Sequence, residues 1–310
     1  MAKASVSWTW RVVGLAGAMA VAVVAGPVGT GGANGPGSRV LSVVAAEDFW
    51  GSLAAQLGGR QVQVTSIVTD PNADPHEYET SALDARELAG ADLVVVNGAG
   101  YDEWADKLLS AQPAAHRTVL TVATLLGKTA GDNPHFWYDP AFVLRVVHRI
   151  TADYEAIEPQ ERAYFAGRAR TVQADLAPYR QHLAYIRAHF AGTKVASTET
   201  VFQYLAQYLQ LDLVTPYAFM KSVAEGNDPP ATTVATFERQ IQAKAFKVLV
   251  YNNQTVTPLT GNLRAAAAAE GIPVVAVSET VQPASVSFET WMDRELAELT
   301  GALDLGRSAP

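Results

Sequence analysis

The sequence predicts an α/β protein of two lobes, each a central, mostly parallel sheet flanked by helices, the two joined by one long rigid helix. Three observations carry that prediction. Apolar, β-branched runs alternate with helix-like segments in both halves, the pattern of a parallel sheet covered on both faces. Between the halves, residues 140–190 keep a helical period with no strand-like run. A length of 310 residues accommodates two cores of ordinary size.

In the first half, 39–46, 61–68 and 92–97 read as strands, with a shorter one at 118–122. Segments 49–57, 81–88 and 102–111 read as helices, and Asp102 is placed to cap the last. From Pro140 a helix runs to about Ile157. Pro159 suits the first turn of another, and Phe165, Val172, Leu176, Leu183 and Ile186 continue it at helical spacing towards Phe190. Some thirty residues at about 1.5 Å each form a rod of about 45 Å. Pro178 is expected to kink that rod, and Ala191-Gly192 to end it. In the second half 194–199, 211–214, 247–252 and 273–278 read as strands, and 201–209, 232–243, 258–270 and 288–301 as helices. The expected divisions are a leader and flexible segment at 1–35, an N-terminal lobe at 39–157, the linking helix at 158–191, a C-terminal lobe at 192–303 and a tail at 304–310.

Composition narrows the function. Hydrophobic residues at 49% and charged residues at 17% describe a globular chain. A net charge of −8 argues against nucleic-acid binding, which needs a concentrated basic face. There are no cysteines, which removes disulfides, thiolate metal ligands and a lipid-modified N-terminal Cys. Lys3 and Arg11 precede an apolar, small-residue run at 12–25, and a Gly/Pro/Asn stretch follows at 26–37. This is the layout of a cleavable secretory signal, with Ala20-Val21-Ala22 or Val23-Val24-Ala25 at the cleavage site. The alternative is an uncleaved N-terminal anchor, although the run is short for a bilayer span. The expectation is an exported protein, periplasmic or at the cell surface.

Four metal-capable residues each lie just beyond a predicted strand: His76, His135, Glu199 and Glu279. Ligands of open α/β sheets bind in loops beyond the carboxyl ends of strands. Pro75 and Pro134 restrict the backbone before each histidine, which lowers the entropy cost of presenting the imidazole. Taken singly, each residue has an ordinary reading. The histidines sit in turn-like loops, Glu199 is placed to cap the helix that follows it, and Glu279 suits a solvated strand end. Their shared topological position is what joins them into one candidate site for a divalent cation. His116, His148, His182 and His189 carry no such signal.

Three segments add a family resemblance. Asp74-Pro75-His76-Glu77-Tyr78-Glu79 followed by Asp84, then 91–101 (Ala-Asp-Leu-Val-Val-Val-Asn-Gly-Ala-Gly-Tyr), then Asn133-Pro134-His135-Phe136-Trp137-Tyr138-Asp139-Pro140 resemble signatures of the metal-binding solute-binding proteins of bacterial ABC importers. The resemblance runs from Arg39 to about Leu303. It implies His76 and His135 as the first two ligands, Glu199 where members carry a His or Glu, and Glu279 where many carry an Asp. It further implies one bound divalent transition metal, Zn2+ or Mn2+ before Fe2+. The implied partners are an ABC permease with its ATPase, the receptor itself is a monomer, and movement between the lobes is modest. Two departures stand out: Glu279 is one methylene longer than Asp, and no His/Asp-rich loop follows His76. The alternatives are a cell-surface adhesin on the same fold and a mononuclear metal hydrolase. The second would need an open coordination position and a general base, and the sequence has no HExxH motif.

Overall fold

A computed structural model describes residues 39–308; the expected signal segment lies outside them. The first half runs β1 (Leu41–Glu47), α1 (Asp48–Gly58), β2 (Val62–Val68), α2 (Ala82–Gly90), β3 (Leu93–Val96), α3 (Glu103–Ala111), β4 (Thr118–Thr121) and α4 (Val122–Leu126). The middle is α5 (Pro140–Ile157), α6 (Arg162–Asp175) and α7 (Ala177–Phe190). The second half runs β5 (Lys194–Ser197), α8 (Gln203–Leu209), β6 (Asp212–Leu213), α9 (Tyr217–Ala224), α10 (Ala231–Gln242), β7 (Val248–Asn252), α11 (Pro258–Ala269), β8 (Val274–Val277) and α12 (Phe288–Ser308).

Each half holds one four-stranded sheet, ordered β2-β1-β3-β4 and β6-β5-β7-β8, with every pairing parallel. The two orders are the same, so the halves repeat one topology. Sequence pattern explains the central strands: β3 (Leu-Val-Val-Val) and β7 (Val-Leu-Val-Tyr-Asn) are buried at every residue, as strands covered on both faces must be. At the edge, β2 alternates Val with Gln, Thr and Ser and is mostly half-buried. Arg39 fastens the start of the first sheet, its guanidinium forking onto Asp92 at 2.8 and 3.0 Å.

The linking segment is helical but not uninterrupted. Asp139 caps α5, accepting from Ala141 N at 2.8 Å, and Pro140 occupies its first position. The later rod divides at Leu176, between α6 and α7. Pro178 explains the break two residues upstream of itself: it has no N–H for the carbonyl of Ala174, and its ring crowds that oxygen. Asp102 also departs from expectation. It precedes α3 without capping it, and its carboxylate instead accepts from Asn97 N at 2.6 Å and Gly98 N at 2.7 Å.

One continuous apolar core runs from β1 and β3 through α5, α6 and α7 to β5, β7, β8 and α12. Smaller clusters lie on the outer face of each sheet. Polar contacts also cross between the halves. Asp48, at the start of α1, accepts from Val281 N through both oxygens at 3.1 Å, and Ser52 Oγ accepts from Phe288 N at 3.0 Å. Among the described residues no helix is long and apolar enough to cross a membrane.

Candidate metal centre

The carboxyl ends of the two sheets face one another, and His76, His135 and Glu279 meet there. One donor atom from each lies within 4.8 Å of the others. His76 stands in a single 3-10 turn, Pro75–Glu77, on the loop beyond β2. Asp74 caps that turn by accepting from His76 N at 2.9 Å. His135 precedes another 3-10 turn, Phe136–Tyr138, that leads into α5. Glu279 lies two residues beyond β8 and is fully buried, so the reading of it as a solvated strand end fails.

Glu199 falls outside the 4.8 Å set but belongs to the same cluster. It is fully buried two residues beyond β5. It occupies the cap position of the turn Thr200–Phe202 without a side-chain cap bond. Its carboxylate turns the other way: Asn252 Nδ2 donates to Glu199 Oε1 at 2.8 Å and to Glu279 Oε1 at 2.6 Å. The capping reading therefore fails as well.

Neighbours hold each donor in place. Asn133 Nδ2 donates to Thr200 O at 2.8 Å, which leaves its Oδ1 as the acceptor 2.6 Å from His135 Nδ1. The proton of neutral His135 is thereby fixed on Nδ1, and the lone pair of Nε2 points into the centre. Tyr101 donates to Glu279 Oε2 at 2.8 Å. It follows Gly98, Ala99 and Gly100, all at positive φ (76°, 58° and 90°), and a Cβ at Gly98 would come within 2.9 Å of Thr121 and Ala123. Only a glycine-rich turn can bring the tyrosine round this tightly.

Gln254 joins the two ligand-bearing loops. Its Oε1 accepts from Glu279 N at 2.6 Å and Thr280 N at 3.0 Å, while its Nε2 donates to Ala73 O at 2.9 Å in the His76 loop. Asn252, Gln254, Tyr101 and Asn133 were absent from the sequence-based set. Asn133 and Tyr101 sit inside the quoted signatures and were within reach. Asn252 and Gln254 form part of Tyr-Asn-Asn-Gln-Thr at the end of an apolar run, whose only sequence signal is a cluster of amides beyond a strand.

The charges are strongly coupled. Burial works against a charged His76, but the adjoining Glu279 carboxylate, aided by Glu199 and Asp74, holds it up at about 9. Burial works against Glu279 too, yet the two imidazoles keep it well below the usual carboxylate range. Glu199 is pushed far up by burial and then by the charge of Glu279. Burial lowers His135, leaving it neutral.

Three buried atoms of this cluster are then left without a partner. His76 Nε2, His135 Nε2 and Glu199 Oε2 make no hydrogen bond. Each imidazole nitrogen lies 3.3 Å from Glu279 Oε2, without the alignment a hydrogen bond needs. Such spacing matches the edge of a tetrahedron with metal–ligand bonds of about 2.0 Å, which is roughly 3.3 Å. Unpaired buried donors and acceptors are costly, and a cation beside Glu279 Oε2 is a partner that satisfies them. His76 alone keeps some exposure, 21% of its side chain, and lines a cleft of about 370 Å³ with Tyr101, Asn133, Thr200 and Tyr217.

Comparison with known proteins decides the family. The family described as zinc-uptake complex component A, periplasmic, matches residues 43–302. The chain belongs to this family. Among curated relatives, the manganese-binding lipoprotein MntA of Bacillus subtilis (strain 168) is 29% identical over 155 residues, covering 48% of this chain and 50% of that one. The MntA of Halalkalibacterium halodurans is 24% identical over 229 residues, covering 72% and 75%. The chain thus spans about half of the first relative and three quarters of the second. A solved crystal structure of ZnuA superposes with a TM-score of 0.68 at 20% identity, covering 85% of this chain and 99% of that one. That likeness extends to the fold: two lobes, each a parallel sheet between helices.

Proposed function

We propose that the protein is an extracytoplasmic receptor that captures one divalent transition-metal ion between its lobes and delivers it to a membrane ABC permease driven by an ATPase. His76 and His135 bind through Nε2, and Glu199 and Glu279 through one or more carboxylate oxygens. The observation that carries this reading is the convergence of His76, His135 and Glu279 from three separate loops, with the buried His76 Nε2, His135 Nε2 and Glu199 Oε2 left without a hydrogen bond. All four come from one chain, so a monomer suffices. Family membership supports the transport role, and the relatives named for manganese support the cargo class.

A metal requires neutral imidazole and ionised carboxylate, so affinity falls in acid as protons compete for the same atoms. Two anionic and two neutral ligands balance a dication, which lowers the cost of holding it in a buried place. Titration calorimetry of purified protein against Zn2+ and Mn2+ tests the assignment. His135→Ala removes a buried ligand and is expected to weaken binding well beyond the roughly 10–100-fold cost of losing an outer partner, with the circular dichroism spectrum unchanged. Unchanged affinity in that variant overturns the site. Metal-dependent stimulation of ATP hydrolysis by the reconstituted permease tests delivery.

A further inference from the structure

Asn252 does more than fill space behind the carboxylates. Its Oδ1 accepts from Gln254 N at 3.0 Å, and a backbone N–H can only meet the oxygen end of an amide, so Nδ2 must face the glutamates. There it donates to Glu199 Oε1 and to Glu279 Oε1 at 2.8 and 2.6 Å. Thr255 Oγ1 lies a further 3.3 Å from Glu279 Oε1. One oxygen of each carboxylate is thus occupied inside the protein. The other oxygens are Glu279 Oε2, which accepts from Tyr101 at 2.8 Å and lies beside both imidazoles, and Glu199 Oε2, which has no partner.

We propose that Asn252 is a specificity-determining residue: by holding one oxygen of Glu199 and one of Glu279 it makes both carboxylates monodentate, so that the site offers two nitrogens and two oxygens and selects four-coordinate zinc over six-coordinate manganese. This rests on the metal-capture reading above and names the cargo. Zinc sites are commonly tetrahedral with N and O ligands. Manganese takes oxygen-rich octahedral sets, which here would require the two Oε1 atoms to be released as additional ligands or replaced by water. The intrinsic order already places zinc above manganese; Asn252 widens that gap, and Thr255 assists it at Glu279.

Cobalt(II) reports the coordination number directly, because four-coordinate Co2+ absorbs far more intensely in the visible than six-coordinate Co2+. The native protein loaded with Co2+ is expected to show the intense bands; weak six-coordinate bands overturn the proposal outright. In Asn252→Ala the bands are expected to weaken, and competition titrations are expected to show the zinc-to-manganese affinity ratio falling by about tenfold or more, the scale on which outer partners act. Thr255→Val, which removes one donor from Glu279 Oε1 and keeps shape, is expected to move both readouts the same way by less, and it stands in if Asn252→Ala does not fold. Unchanged bands and ratio in the folded variants overturn the role of Asn252 while leaving the site intact. If His135→Ala also leaves the cobalt spectrum unchanged, the site assignment itself has failed.

Discussion

Gln254 is the sharpest point at which to break the coupling between the lobes. Replacing it by Leu keeps the volume but removes both ends of the amide. The N–H groups of Glu279 and Thr280 lose the acceptor they hold at 2.6 and 3.0 Å, and Ala73 O loses its donor at 2.9 Å. Gln254 is 6% exposed, so water does not readily replace it. A buried group left unsatisfied costs about 1–3 kcal/mol, and two N–H groups bring the loss to about 2–6 kcal/mol. In a chain of this size that lowers Tm by roughly 4–24 °C. Circular dichroism melts of the metal-free protein measure it. Metal affinity is expected to fall by about 10–100-fold, because the His76 loop and the Glu279 backbone no longer share a fixed point. Gln254→Glu separates the two functions, since it retains the acceptor for Glu279 N and loses the donor to Ala73 O. A Gln254→Leu protein within about 0.5 kcal/mol of native stability and with native affinity would refute the coupling.

Two further perturbations are independent of Gln254. Tyr101→Phe removes the donor to Glu279 Oε2 and is expected to weaken zinc binding by about 10–100-fold with little change in fold; calorimetry with equal affinities would show the hydroxyl to be idle. Glu295 gives a pH test of stability. Burial, opposed by bonds from Tyr138, Ser278 and Trp291, raises its carboxyl from 4.5 to about 8. The geometry agrees: the single Tyr138 hydroxyl hydrogen faces both Glu295 Oε2 at 2.7 Å and Ser278 O at 2.8 Å, and the count closes when Glu295 is protonated and donates to Tyr138. The folded state therefore keeps a proton that the unfolded chain releases above about 4.5. Stability from this group is full below that pH and is lost progressively up to about 8, at about 1.4 kcal/mol per unit. Glu295→Gln is expected to flatten that part of the profile, read as urea midpoints at pH 5 and pH 8. An identical native-minus-variant difference at both would show that Glu295 does not titrate there.

Most strands were legible because their burial is written as uninterrupted Val, Leu and Ile, and because the crossover segments between them carry helical spacing. The start of α5 was legible from Pro140 and the capping Asp139. The weakest feature was β6, two residues long, where little sequence is available to show a period. Both histidine loops were marked by the prolines that stiffen them. The acidic half of the centre was visible only as position, since a glutamate beyond a strand looks the same whether it faces solvent or an ion. What decides the matter is the side-chain environment: Asn252 closes β7 and Gln254 follows it, 53 and 25 residues away from Glu199 and Glu279 respectively. Asp102 failed as a cap for a related reason. Its local sequence favours capping α3, but the unpaired N–H groups of Asn97 and Gly98 at the end of β3 were nearer and buried.

The arrangement of the four candidate donors also bears on how a bound ion would leave. Both sheets have the same strand order, and an asparagine ends or follows the third strand in each. Asn97, just beyond β3, holds Pro134 O at 2.9 Å and so steadies the His135 loop; Asn252, closing β7, holds both glutamates. Three of the four donors are therefore pinned to strand ends by buried amides. His76 is different: it lies eight residues past the end of β2 at Val68, on a loop, its side chain keeps contact with the cleft, and it is tied across the seam chiefly through Gln254 and Asp74. A wide separation of the lobes would have to open the core they share through α5, α7 and α12, at the cost of exposing large aromatic and aliphatic surface at about 25 cal/mol per Å². Moving the His76 loop exposes far less. Release by movement of this loop, residues 69–81, with the other three candidate donors left in place, is the route that disturbs the least buried apolar surface.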